Sequence, residues 1–227
     1  MLPTWLPLLL VGVVVSAVAA VMKYQRHTVS AAFCGGLGLL LFMTVAVVCR
    51  METGDRVYAI IVIVGLALHA FGSLTVNLGG GLEKGLSGAE GLGIALLLLG
   101  HSAYIAALAH RGLIAGFIAL PLTLVVMIFA VIYLSKRRQL PKKRRDFMAI
   151  YLLFPILILS FSLALLVLNP PDSTYHLFLL GALGLMIFDI DLMFKLLRKD
   201  TLPMASTAAY VAYFTGQLLI ALSILYA

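Results

Sequence analysis

The sequence predicts an all-α, polytopic membrane protein, a single domain over residues 1–227 built as a bundle of eight transmembrane helices. Three observations lead there. Hydrophobic residues make up 63% of the 227 and charged residues only 11%, whereas a soluble domain carries about a quarter charged. The mean hydropathy of +1.13 is too high to hide inside one water-facing core. The apolar residues also fall in runs of about 20, the length a hydrocarbon core roughly 30 Å thick requires, without the alternation of a membrane barrel. These numbers exclude a soluble enzyme, a nucleic-acid-binding domain, a disordered chain and a disulfide scaffold.

Charges and turn residues cut the chain into spans at about 5–22, 29–48, 57–78, 88–109, 113–133, 147–168, 175–196 and 203–224. The first has no basic residue ahead of it, so it reads as a span and not as a cleaved leader. The second holds Cys34 and Cys49, about 22 Å apart along one helix and beyond the roughly 7 Å of a disulfide; they read as small packing residues. The third carries His69, Ser73 and Asn77, spaced by four and therefore on one face. The fourth follows the Gly79-Gly80-Gly81 run and places Glu90, His101 and Tyr104 on a common face. The fifth and sixth contain Pro121 and Pro155, which neighbouring helices can accommodate. In the seventh, Asp189 and Asp191 lie about 200° apart around the helix and must face different surroundings. The eighth aligns Ser206, Tyr210, Tyr213 and Gln217.

The loops orient the bundle. Thirteen of the sixteen basic residues fall on one side: Lys23, Arg26, Lys84, seven between Lys136 and Arg145, Lys195, Arg198 and Lys199. Arg50, Arg56 and Arg111 fall on the other. By the positive-inside rule both termini are non-cytoplasmic. The short loops point to a prokaryotic inner (plasma) membrane. The basic 136–145 loop, flanked by apolar spans, is expected to touch anionic lipid and not nucleic acid.

A carboxylate within a span costs at least about 2.5–3.5 kcal/mol on insertion scales, so the informative residues are the polar ones inside. The orientation puts Ser73, Asn77, Glu90, Asp189, Tyr210 and Tyr213 in the cytoplasmic half, and predicts a shared, partly hydrated cavity walled by spans three, four, seven and eight. Each residue also has a plainer reading. Asp191 is an i,i+4 partner for Lys195, Glu90 a first-turn acid favoured by the helix dipole, His101 a core histidine, and the helix-eight hydroxyls interhelical glue. His69, His101 and Asp189 form a weak ligand set, and HExxH or Cys–His spacings are lacking, so neither metal nor cofactor is expected. No serine sits in a GxSxG elbow.

Four segments then show a resemblance. Gly181-Ala-Leu-Gly-Leu-Met-Ile-Phe-Asp189-Ile-Asp-Leu-Met-Phe194 resembles a "GALLF-x-x-SD-x-x-L" motif. Ala209-Tyr-Val-Ala-Tyr213-Phe-Thr-Gly-Gln217-Leu-Leu-Ile-Ala221 is similar to "tYYlaQ-x-LI", Leu99-Gly-His101-Ser-Ala-Tyr104-Ile to "lgH-x-x-Y", and Ala67-Leu-His-Ala-Phe-Gly72-Ser73-Leu to "SLLGD". In this order, over roughly residues 20–225, they are the motifs of the lysoplasmalogenase-like (YhhN) membrane proteins. The resemblance implies hydrolysis of the vinyl ether bond of a lysoplasmalogen to a fatty aldehyde and a glycerophospho-base. Asp189 matches the second family aspartate, and His101, Tyr104, Tyr213 and Gln217 match other motif positions. Three positions depart: Ser73 stands for the first family aspartate, Phe188 for the motif serine, and "KPLT" survives only as Arg26-His27-Thr28.

Protonating a vinyl ether at its β-carbon requires a carboxylic acid, and the resulting cation requires a carboxylate or base. The expected catalytic pair is Asp189 with Glu90 replacing the missing aspartate, and Ser73 and His101 holding water. His69, Asn77, Tyr104, Tyr210, Tyr213 and Gln217 are expected to contact a membrane lipid or lysophospholipid substrate, with Lys84, Lys195 and Arg198 near its phosphate. The alternative is a non-hydrolytic lipid-binding or small-molecule transport protein on the same fold, which the serine at position 73 motivates.

Overall fold

The structure is a computed structural model and describes residues 3–51, 53–79, 88–136, 142–197 and 202–227. The helices are α1 (Leu6–Tyr24), α2 (Thr28–Arg50), α3 (Arg56–Gly79), α4 (Gly88–Gly112), α5 (Gly116–Lys136), α6 (Lys142–Leu168), α7 (Ser173–Leu197) and α8 (Pro203–Ser223), with short 3-10 turns at Leu113–Ala115 and Ile224–Tyr226. Seven helical stretches among the described residues are long and apolar enough to cross a membrane. This differs from the eight spans expected. The spans expected at 88–109 and 113–133 run together as one stretch, Gly88–Lys136. No polar loop separates them: the only break is Gly112, whose backbone is extended (φ −177°), followed by one 3-10 turn.

Local chemistry fixes the helix ends. The Asp55 carboxylate accepts the Tyr58 N–H at the start of α3 (3.0 Å) and Asp172 accepts the Thr174 N–H at the start of α7 (2.8 Å), satisfying donors that a helix start leaves free. Proline occupies the first turn of α1 and of α8, where its missing N–H costs nothing. α1 ends in a Schellman turn: the Arg26 N–H reaches the Lys23 carbonyl and the His27 N–H the Met22 carbonyl. Arg26 takes the left-handed backbone this turn needs (φ 66°), a conformation that favours glycine.

The helices pack as a ring. α1 lies against α2 and α8, α2 against α3, α3 against α4, α4 against α6, α6 against α7, and α7 against α8; α5 packs on α6 outside the ring. Small residues set the tightest seams. A Cβ on Gly72 would lie 2.9 Å from the Leu97 nitrogen, and one on Gly93 would lie 2.8 Å from the Gly72 carbonyl oxygen, across α3 and α4. Across α7 and α8, a Cβ on Gly216 would lie 2.6 Å from the Gly181 carbonyl oxygen. Backbones this close gain van der Waals contact where lipid supplies no hydrophobic drive. The ring interior collects the polar side chains, while α5 leaves Phe117, Leu124 and Phe129 exposed as lipid would require.

Candidate active site

Inside the ring, α4, α6 and α7 bring three polar side chains together. His101 Nε2 lies 2.9 Å from Asp189 Oδ2, and Tyr151 donates its hydroxyl to Asp189 Oδ1 at 2.6 Å. All three are buried, Asp189 at 1% exposure and the other two at 0%. His101 Nδ1 lies 2.7 Å from the Leu97 carbonyl oxygen one turn back. A carbonyl only accepts, so Nδ1 carries a hydrogen. One proton therefore remains for the Nε2–Oδ2 contact. It makes the pair either imidazolium with carboxylate or neutral imidazole with carboxylic acid, and both forms hold the same number of protons. The low-dielectric setting makes an unpaired carboxylate costly; here both carboxyl oxygens have partners.

His69 packs against this pair from α3. Its ring stacks on Tyr104 (centroids 5.0 Å apart, planes 12°) and meets His101 edge-on (4.7 Å). Tyr104 donates to Gln217 Oε1 at 2.6 Å. Tyr213 donates to the His69 carbonyl at 3.0 Å, and its ring stacks on Phe188 (4.2 Å). Among the described residues, His69 Nδ1 and Nε2 and Gln217 Nε2 are buried without a hydrogen-bond partner. Gly65 and Gly100 allow this crowding. A Cβ on Gly100 would lie 2.5 Å from the His69 ring, and one on Gly65 would strike the Tyr104 ring.

A second polar layer lies nearer the Lys23 end. Lys23 donates to Asn77 Oδ1 (2.7 Å), and Asn77 donates to the Ser73 carbonyl (2.7 Å). Lys23 also lies over the Tyr210 ring, 5.4 Å from its centroid, and Tyr210 donates to the Ala31 carbonyl (3.1 Å). Asp191 pairs with Lys195 and accepts from Ser206 (3.3 Å). The two aspartates of α7 thus face opposite sides, as their spacing requires. The Ser73 hydroxyl donates to the Ala70 carbonyl of its own helix (3.2 Å).

The structure brings His69, His101, Tyr104, Tyr213, Gln217 and Asp189 into one layer, and Asn77 and Tyr210 into the other, with Ser73 between. It does not bring Glu90 beside Asp189. Glu90 is half-buried in the first turn of α4, eleven residues and about 16 Å of helix before His101. Asp189, expected in a shared, partly hydrated cavity, is 1% exposed and partnered by an imidazole and a phenol. Tyr151 was not among the expected residues. Its signal was a single phenol among Ile, Leu and Phe in the sixth span, which an aromatic packing role explains equally well. Lys84 and Arg198, and residues 137–141 of the basic loop, lie outside the described residues, as do the side chains of Lys143 and Arg144.

The far end of the bundle is closed by ion pairs. Arg111 bridges Asp55 (3.4 Å) and Asp172 (3.0 Å) between the Tyr58 and Tyr175 rings, and His110 Nε2 lies 3.1 Å from Asp55. Burial pushes the Asp55 carboxyl up, but the Tyr58 N–H, His110 and Arg111 outweigh it and hold the group below its ordinary value.

A multi-helix membrane bundle with a buried carboxyl–imidazole–phenol centre is thus the class of protein the fold and site define. The YhhN family model matches residues 30–224. The chain belongs to the YhhN family, a lysoplasmalogenase-like family of membrane proteins. No curated protein and no solved structure matches the chain.

Proposed function

We propose that this protein is a membrane-embedded hydrolase that cleaves the vinyl ether bond of a lysoplasmalogen, with Asp189 and His101 acting as one proton-carrying unit. The single proton between His101 Nε2 and Asp189 Oδ2 carries the reading. In the first step that proton is transferred to the β-carbon of the vinyl ether. The double-bond electron pair forms the new C–H bond, and positive charge appears on the adjacent carbon and the ether oxygen. The carboxylate left on Asp189, still held by Tyr151, steadies the cation. Water then adds to the charged carbon, and its proton returns to the Nε2–Oδ2 pair. The hemiacetal collapses as its C–O bond to glycerol breaks and its hydroxyl proton passes to the departing alkoxide. The products are a fatty aldehyde and a glycerophospho-base. A single acid–base unit thus serves both steps, and a second carboxylate is not needed.

Two further observations support this reading. The buried nitrogens of His69 and Gln217 lie in the same layer without a partner among the described residues; one His69 nitrogen, on the ring that meets His101 edge-on, together with the pair itself gives the attacking water two of the two to four partners it needs. An apolar hollow of about 180 Å³ lies between α4 and α6, lined by Gly91, Ile94, Ala95, Leu98 and Phe147. Leu98 is one turn from His101 and Phe147 one turn from Tyr151, so the hollow lies about one helical turn, roughly 5 Å, from the proton pair.

The same reading includes eight crossings. Gly91 meets Phe147 in that hollow, His101 meets Tyr151 and Gly112 meets Leu165, so α4 and α6 run parallel. Gly116 meets Phe161 and Ser135 meets Arg145, so α5 and α6 run antiparallel. The chain then reverses at Leu113–Ala115. With the Lys23 end cytoplasmic, both termini lie on the other side. Fatty aldehyde released from a defined lysoplasmalogen by the purified protein in nanodiscs is the expected result. Binding of that lipid without release favours the non-hydrolytic alternative, for which Ser73 in place of an aspartate is the specific observation.

A further inference from the structure

The proton pair leaves unexplained a lysine at the base of the ring. Lys23 projects from the last turn of α1 and is half-buried. Its direct partners among the described residues are the Asn77 amide oxygen and the Tyr210 ring face, both uncharged. The charges of Lys195 and Asp191 act on it as well, and Asp191 is already engaged with Lys195 and Ser206. Two ammonium groups and one carboxylate leave one net positive charge among these described groups. An ammonium has three N–H donors, and Asn77 takes one of them. A lysine that only needed solvation would extend toward the headgroups; this one turns inward onto α3 and α8, below the stripe of Asn77, Ser73 and His69 that leads to the proton pair.

The geometry points to Lys23, with Asn77, Tyr210, Lys195 and Ser206, as the seat of a phosphate monoester or diester carried by a single-chain amphiphile. A phosphate oxygen takes the Lys23 donors that no described residue accepts, as charge-assisted hydrogen bonds, and the net charge of these described groups is neutralised. Asp191 limits the affinity by repelling the same phosphate. A phosphate here lies at the Lys23 end of the stripe of Asn77, Ser73 and His69. The inference rests on the proposed hydrolysis in one respect only: that the bound amphiphile is the molecule the proton pair acts on.

The test separates binding from cleavage. Binding of a saturated 1-O-alkyl lysophosphatidylethanolamine, which has no vinyl ether to cleave, is measured against the corresponding 1-O-alkylglycerol, using the purified protein in nanodiscs of neutral lipid. The wild type is expected to bind the phosphate-bearing amphiphile at least about tenfold more tightly, the value of one charge-assisted contact of 1.4 kcal/mol or more. Lys23→Met removes that preference, and Lys23→Arg keeps it within about threefold. Asp191→Asn raises the net charge and tightens phosphate binding several-fold, whereas a merely structural role for the cluster predicts loosening. Equal binding of the two amphiphiles by the wild type, a preference that survives Lys23→Met, or weaker phosphate binding in Asp191→Asn each overturns the assignment. So does inorganic phosphate competing at the concentration of the lipid, since that marks a free-phosphate site. If Lys23→Met does not fold, the wild-type preference and Asp191→Asn decide. Phosphate-dependent binding without aldehyde release from a lysoplasmalogen supports this site and counts against the hydrolytic reading alone.

Discussion

Replacing Asp189 separates structure from chemistry, because two substitutions there predict opposite outcomes. Asparagine keeps the shape and the polar contacts. Its amide N–H can donate to His101 Nε2, which accepts when Nδ1 holds its hydrogen on the Leu97 carbonyl, and its oxygen can accept from Tyr151. Asp189→Asn should therefore cost less than about 1 kcal/mol, since each buried group keeps a partner. Asp189→Ala leaves His101 Nε2 and the Tyr151 hydroxyl buried and unpaired, at about 1–3 kcal/mol each, or roughly 2–6 kcal/mol in all. At about 2–4 °C per kcal/mol for a chain of this size, the alanine variant melts roughly 4–24 °C lower and the asparagine variant within about 4 °C of the wild type. Activity does not follow stability: Asp189→Asn removes the transferable proton and should reduce aldehyde release by about 10²–10⁴, the usual value of a general acid. Thermal unfolding in nanodiscs and aldehyde release are read on the same preparations. Wild-type turnover in Asp189→Asn refutes the proton pair as the catalyst. Equal melting losses for asparagine and alanine refute the hydrogen-bond assignment.

Other substitutions test other parts of the fold. Arg26→Gly places the preferred residue in the left-handed position of the α1–α2 turn and should stabilise by about 0.5–1 kcal/mol, a relief of backbone strain net of glycine's unfolded-state entropy, read as a rise in melting temperature. Gly216→Ala drives a methyl to 2.6 Å from the Gly181 carbonyl oxygen. The α7–α8 seam must then open, at about 1–3 kcal/mol, and the displaced Asp189 should lower turnover as well. Asp55 sets a pH response at the far end. Its carboxyl is held below its ordinary value, so its stabilisation is complete above the ordinary carboxylate range and is lost as pH falls through the lowered value. Melting followed from pH 6 to pH 2 should decline most steeply below about pH 4, and Asp55→Asn should flatten that decline.

Much of this architecture was readable because hydropathy, helical periodicity and charge asymmetry report directly on a helix in lipid. The stripes His69–Ser73–Asn77 and Tyr210–Tyr213–Gln217 face the ring interior as their spacing demands, and Asp191 pairs with Lys195 as an i,i+4 partner should. Periodicity gives the face of a residue and not its partner on another helix. That is why Glu90 was matched to Asp189 by shared polarity and approximate depth, although about 16 Å of α4 separates it from the histidine that Asp189 meets. Tyr151 was invisible for a related reason: one phenol in an apolar run has no pattern, and its role exists only where α6 crosses α4 and α7. The boundary expected between 109 and 113 divides what is a single apolar stretch, Gly88–Lys136, because a turn without a polar loop leaves no dip in hydropathy.

The serine at position 73 is best weighed against the proton count at the site. Vinyl ether hydrolysis needs one proton delivered and one recovered, and a carboxyl–imidazole pair that shares a single proton can do both in sequence. A second carboxylate near Asp189 would add a negative charge to a buried layer, where each added charge must find a partner. Here the polar groups around the pair are His69, Tyr104, Tyr151, Tyr213 and Gln217, all neutral hydrogen-bonding groups in the arrangement proposed, and Ser73 donates to the Ala70 carbonyl. Ser73→Asp thus becomes informative. If the imidazole has taken over the second acid–base role, an aspartate at position 73 should leave aldehyde release unchanged or lower, because it competes for the proton. A large gain in release would show that the serine marks lost chemistry, and that the pair alone is not sufficient.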